Sequence, residues 1–297
     1  MTTQQLYLDP KEATKQTGGQ RVEAGVKTIL LHIQNDKSLD ARVETALALA
    51  RACEAHLSCV HVTPIEAYVA FDSFGGVFVM NDVIKAVDEE AVNIRKRLQE
   101  KLRGEDVTWD YVETTANIAS SLVSRAALTD LVVTSRDPHR TDFAGPTIGL
   151  LGELLHRSRT PLFIPADDGA PVDPTGTALI AWDGSYEAAN AVRAAVGLLK
   201  IASQVRVLQI HEKDDEAFPG TRLLEYLSRH GIHAELFTES AASQEFVSDA
   251  LVAHARAIGA AYIVMGGYNH SRVGEFVFGG VTRSLLRSSP VPLLIAH

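Results

Sequence analysis

A chain of 297 residues, 46% of them hydrophobic, can build two cores of ordinary domain size. Its formal net charge of −9 speaks against a nucleic-acid partner, which needs a broad basic face. No apolar run reaches the roughly 18 residues that a membrane-spanning helix requires, so no membrane partner is expected. Cys53 and Cys59 are too few for a disulfide framework, and both read as small buried hydrophobes in a reducing, cytoplasmic protein.

Residues 1–25 lack the apolar core of a signal peptide and are expected to form a loose N-terminal arm. Strand and helix signals then alternate. The run Lys27-Thr28-Ile29-Leu30-Leu31-His32-Ile33 is rich in branched residues and predicts a strand. Leu39, Val43, Ala46, Leu47 and Ala50 recur at helical spacing within residues 38–55. A strand is predicted at 58–62, a loop over 64–80, a long amphipathic helix at 82–102 and a strand at 107–113. Helix 118–128, strand 131–133, helix 147–158 and strand 161–164 complete the first unit.

The same order then repeats. Thr177 to Trp182 predicts strand one, followed by helix 185–200, strand 205–210, helix 221–230 and strand 233–237. Helix 246–257, strand 262–265, helix 281–287 and strand 293–295 follow. The two units end alike, in L-L-H-R-S-R-T-P-L-F-I-P at 154–165 and S-L-L-R-S-S-P-V-P-L-L-I at 284–295. Between them lies a linker dense in Asp, Gly and Pro. The division is therefore an arm at 1–25, a first domain at 26–167 and a second at 168–297.

Alternating strands and helices imply a parallel sheet with right-handed crossovers, and near-continuous apolar strands imply a sheet covered on both faces. The expected fold class is α/β, two tandem doubly wound five-stranded parallel sheets. A ligand site in such a sheet lies at the strand C-terminal ends, at the switch point. The last strands open with Pro161 and Pro292, which suits sheet edges.

In the second unit the strand ends carry chemistry. Asp183 can accept a hydrogen bond from a base or a ribose, or share the capping of the next helix with Ser185. Gly266 lets a ligand approach the main chain, and Asn269 tolerates a left-handed turn. The main-chain N–H groups of Gly279, Gly280 and Val281 precede or open a helix and can converge on a phosphate, with the Thr282 hydroxyl beside them. His270 or Arg272 can meet phosphate charge, although both also read as exposed loop residues. The glycines have a second reading too, as positions needed only for tight turns and close helix packing. The eleven histidines show no metal-ligand spacing, and no catalytic signature stands out.

These positions resemble the universal stress protein family, and the whole chain resembles a tandem member of it. After strand four the family carries Gly, two residues, Gly, nine residues, Gly, then Ser or Thr. Gly266, Asn269, Gly279 and Gly280 stand at those positions, so two of the four depart from the pattern. The resemblance implies an ATP or AMP site, with Mg as a companion of ATP. It would be lined by Ala181, Trp182, Asp183, Ile210, Met265, Gly266, Asn269, Gly279, Gly280 and Val281. It also implies that the two units dock through their last strands as an internal pseudo-dimer, and it leaves a further homodimer and the protein partner open. The first unit has Gln34 in place of the acid, Ser135 at the first glycine, then Arg136, Asp137 and Pro138, and Ile148-Gly149 at the last pair. Its site is read as degenerate.

The functional expectation is a stress-response protein that binds an adenine nucleotide, with at most slow ATP hydrolysis. An interaction scaffold with both sites decayed is the alternative. A nucleotide-handling ligase or pyrophosphatase is a weaker third reading, for want of its motif.

Overall fold

The computed structural model describes residues 5–8, 25–65, 70–71, 77–78, 81–136, 148–166, 171–211, 218–240, 244–267 and 279–297. The first half contains β1 (Gln5–Leu8), β2 (Thr28–Ile33), α1 (Leu39–Cys53), β3 (His56–Pro64), a small hairpin of β4 (Ala70–Phe71) and β5 (Val77–Phe78), and α2 (Asn81–Arg103). It continues with β6 (Trp109–Ala116), α3 (Ile118–Ala126), β7 (Leu131–Val133), α4 (Ile148–Glu153) and β8 (Leu162–Ile164). The second half contains β9 (Thr177–Trp182), α5 (Tyr186–Leu199), β10 (Gln204–His211), α6 (Gly220–Arg229) and β11 (Ala234–Ser240). It ends with α7 (Gln244–Ala257), β12 (Ala260–Gly266), α8 (Gly280–Ser288) and β13 (Leu293–Ala296).

The described residues form one eleven-stranded sheet in the order β1-β6-β3-β2-β7-β8-β13-β12-β9-β10-β11. Within each half, the five main strands run parallel in the order third, second, first, fourth, fifth. This is the doubly wound arrangement expected from the alternation. Strands β7, β8 and β13 are buried at every residue, as a sheet covered on both faces requires. Helices α1, α2, α5 and α6 pack over one face through residues such as Leu47, Leu98, Ala191 and Leu227. Helices α3, α4, α7 and α8 pack over the other through Leu122, Leu151, Leu251 and Leu285.

The halves meet through their last strands. β8 and β13 pair antiparallel, with Leu293 opposite Ile164, Leu294 opposite Phe163 and Ile295 opposite Leu162. The strands that open with Pro161 and Pro292 are therefore edges only of their own halves; in the whole sheet each covers the other, which leaves neither edge unpaired. Both apolar clusters run through the junction, where Phe163 packs against Tyr262 with ring centroids 5.9 Å apart. Arg136 crosses it as well, its Nη2 donating to the Ser289 carbonyl at 2.7 Å and the Pro165 carbonyl at 3.3 Å.

Two expectations need correction. The N-terminal arm is not wholly loose: Gln5–Leu8 adds an antiparallel strand to β6, with Tyr7 opposite Tyr111. An edge strand with open main-chain donors and acceptors captures it. The helix expected at 147–158 is α-helical only to Glu153; residues Leu154–Ser158 widen into a π turn, and Arg159 ends it at a φ of 57°.

Candidate functional site

The switch point of the second half lies where β9 and β12 part. β9 ends at Trp182, and Asp183 and Gly184 turn the chain into α5, with Gly184 at a φ of 77°. Ser185 caps α5: its Oγ accepts from the Ala188 N–H at 3.0 Å. The exposed Asp183 carboxylate organises the same turn, accepting from the Ser185 N–H at 2.9 Å and the Ser185 hydroxyl at 2.6 Å through Oδ1. Both roles foreseen for Asp183 are thus compatible, because its Oδ2 takes no partner among the described residues.

β12 ends at Gly266, directly against the start of α5. A Cβ there would stand 2.7 Å from Ala188 N and 2.8 Å from Glu187 C, so only glycine fits without backbone movement. Close helix packing is thereby a real role of this residue. Gly267 donates its N–H to the Ala296 carbonyl at 2.8 Å, tying the strand end to β13.

α8 starts beside the same strand end. Gly279 is its N-cap, at φ −56° and ψ 159°, and has no side chain to cap the helix with. The first helical bond at this end is Arg283 N–H to Gly279 carbonyl, so the N–H groups of Gly280, Val281 and Thr282 have no partner within the helix. The Thr282 hydroxyl lies 3.5 Å from the Gly266 carbonyl, which joins the helix start to the strand end. Donors of this kind, at the positive end of a helix dipole, are where an anion can bind.

Four of the remaining residues converge on the face covered by α7 and α8. Ala181, Ile210 and Val281 are half-buried against its apolar cluster, and Met265 belongs to that cluster. Trp182 points to the opposite face, where it is buried and donates its indole N–H to the Phe218 carbonyl at 2.9 Å. A ligand at the switch point would meet Trp182 through its main chain. Asn269 and His270, with Ser271 and Arg272, lie outside the described residues.

The first half is built differently at the equivalent place. Arg42 on α1 is fully buried and aims its guanidinium at the ends of β2 and β7. Nε donates to the His32 carbonyl at 3.1 Å and Nη2 to the Gln34 carbonyl at 2.6 Å. Nη1 donates to both carboxylate oxygens of Asp36, at 2.9 and 2.8 Å, and to the Ser135 hydroxyl. Neither Arg42 nor Asp36 stood out as a candidate in the sequence. The available signal was that position 42 falls on the buried stripe of α1, between Leu39 and Ala46. Nearby, burial and the adjacent Arg42 charge hold the His32 imidazole neutral, with a pKa pushed down to about 3. Its Nδ1 lies 3.3 Å from the Thr134 hydroxyl.

The free thiols of Cys53 and Cys59 are buried, and burial pushes both upward, Cys53 to about 11. Among the described residues, no helix is long and apolar enough to cross a membrane.

Residues 175–297 match the model of the universal stress protein family. No curated protein matches the chain. Among solved structures, a universal stress protein from Archaeoglobus fulgidus DSM 4304 is 17% identical and superposes with a TM-score of 0.69, covering 90% of this chain and 97% of that one. A functionally unknown protein from Pseudomonas aeruginosa PAO1 is 15% identical with a TM-score of 0.57, covering 92% and 93%. At these identities the likeness is one of fold, and it extends across both halves.

Proposed function

We propose that this chain is a tandem universal stress protein of the cytoplasm, with domains at 26–167 and 168–297. Its second domain binds ATP or AMP in a stress-response role, with at most slow hydrolysis. The observation that carries this reading is the junction of β12 and α8: three N–H donors with no partner within the helix stand beside a strand end whose carbonyl lies 3.5 Å from the Thr282 hydroxyl. Gly280, Val281 and Thr282 would hold phosphate through their main chain, with Gly279 leaving the approach open. Ala181, Ile210, Met265 and Val281 would offer apolar contact to the adenosine, and Asp183 would accept from its hydroxyl or amino groups. The family match of residues 175–297 supports this assignment. Mg would enter with the triphosphate of ATP, since the described residues hold no three-ligand acidic or imidazole group.

The test is the thermal midpoint of the purified chain with ATP and with AMP. Saturation at about 100 times Kd adds roughly 2.7 kcal/mol of stability, which is a readable shift. Gly279→Val keeps an allowed backbone at φ −56° but adds a branched side chain at the helix start. It is expected to fold and to lose the nucleotide-dependent shift. No shift with any nucleotide in the unaltered chain would instead support the interaction scaffold.

A further inference from the structure

The two halves share one strand order, yet they fill the switch point in opposite ways. In the second half α5 closes directly on the strand end, because Gly266 lacks a Cβ that would meet Ala188 N and Glu187 C. In the first half Arg42 makes the first helical bond of α1 back to its cap residue Ser38, as Ala189 does in α5 to Ser185, and Ser135 occupies the glycine position. An arginine thus replaces the alanine, and its guanidinium fills the space where β2 and β7 part.

The main chain at this strand end is already engaged. The carbonyls of His32 and Gln34 both accept from Arg42, and the Ser135 hydroxyl on the fourth-strand side accepts as well. The positive charge is matched on the spot: Asp36, whose side chain is 12% exposed, takes Nη1 on both oxygens, while the Arg42 side chain is 0% exposed. Asp36 is fixed in turn by the Ser38 N–H, which donates to its Oδ1 at 2.8 Å. All three guanidinium nitrogens have partners, so this arginine is not a spare phosphate ligand. An entering nucleotide would have to displace an internal carboxylate from a fully buried cation, at the cost of exposing or unpairing both.

We infer that Arg42, held by Asp36, closes the first half to nucleotides, so that the chain takes one nucleotide rather than two. This count rests on the reading of the second half as the nucleotide site; the closure itself does not.

Two measurements on the full-length chain test it. The first is arginine modification by phenylglyoxal, mapped by mass spectrometry. Arg42 is expected to stay unmodified while Arg51 and Arg97, with side chains 43% and 55% exposed, react. Asp36→Ala is expected to raise Arg42 labelling several-fold, and Arg42 labelling at the rate of Arg97 in the unaltered chain would overturn the closure. The second is equilibrium binding of radiolabelled ATP, with an expected count of one per chain that falls to none in Gly279→Val. Two equivalents per chain, or binding that survives Gly279→Val and cross-links to peptides of the first half, would overturn the inference. Absence of all binding would remove the proposed function of the second half, and the arginine labelling would then decide the closure by itself.

Discussion

Replacing Gly266 by alanine separates a packing glycine from one that merely allows a turn. The added Cβ would sit 2.7 Å from Ala188 N, 2.8 Å from Glu187 C and 3.0 Å from Glu187 Cβ. Two of these neighbours are main-chain atoms, which no rotamer change can move. Reaching an ordinary 3.4 Å contact requires about 0.7 Å of movement of the first turn of α5 or the end of β12. α5 is pinned to the sheet by Ala188, Ala191, Val192 and Ala195, all but fully buried, so the movement strains a packed face. Overpacking of this kind costs about 1–3 kcal/mol. At roughly 2–4 °C per kcal/mol, the midpoint should fall by roughly 2–12 °C in thermal melts followed by circular dichroism. Gly267→Ala is the internal control: its Cβ meets side-chain methyls, Ile295 Cγ2 at 2.7 Å and Leu155 Cδ1 at 3.3 Å, which yield more readily than a helix backbone. Its loss should be the smaller of the two. A Gly266→Ala chain that melts with the unaltered protein, or above Gly267→Ala, would refute the close-packing argument.

Other substitutions follow from the same geometry. Ser185→Ala removes the cap on the Ala188 N–H and the hydroxyl's bond to Asp183 while keeping the main-chain N–H bond to Asp183, and should cost about 1 kcal/mol in urea unfolding. Phe163→Ala empties a fully buried site at the junction of the halves, and a loss of about 3–5 kcal/mol is expected from the same assay. Acidification should destabilise the first half through His32. Its imidazole is neutral when folded and takes a proton near pH 6.5 when unfolded, so its contribution is complete above pH 6.5 and is lost as pH falls toward 3. The loss at pH 5 is on the order of 2 kcal/mol, and His61, also depressed mainly by burial, acts in the same direction. His32→Gln should flatten stability between pH 7.5 and 5, and an unchanged pH slope would count against a buried neutral imidazole.

The fold was legible because strand and helix periods alternate cleanly and the two units end on nearly the same phrase. Ile29 to Ile33 and Leu293 to Ala296 are buried runs whose length and branching suit only the middle of a covered sheet. Tertiary partners were less legible. Gln5–Leu8 has no strong strand pattern of its own; β6 supplies the ladder that orders it. Pro161 and Pro292 read as edge markers, yet the edges they mark are joined, because each half offers an unpaired last strand to the other. In the second half the glycines and Asp183 stood out by type and spacing, with packing and capping as their second readings, and α5 against Gly266 bears out the packing one. Arg42 escaped notice because a charged residue on a helix reads as solvated. Only the convergence of His32, Gln34 and Asp36 from the end of β2 with Ser135 from the end of β7 supplies the partners that let it be buried.

The most direct test is a crystal structure grown with excess ATP. The account predicts an adenylate in the second half alone, with a phosphate within hydrogen-bond reach of the Gly280 and Val281 N–H groups and Arg42 still on Asp36 in the first half. An empty crevice between β12 and α8, or a nucleotide seated at the ends of β2 and β7, would contradict it.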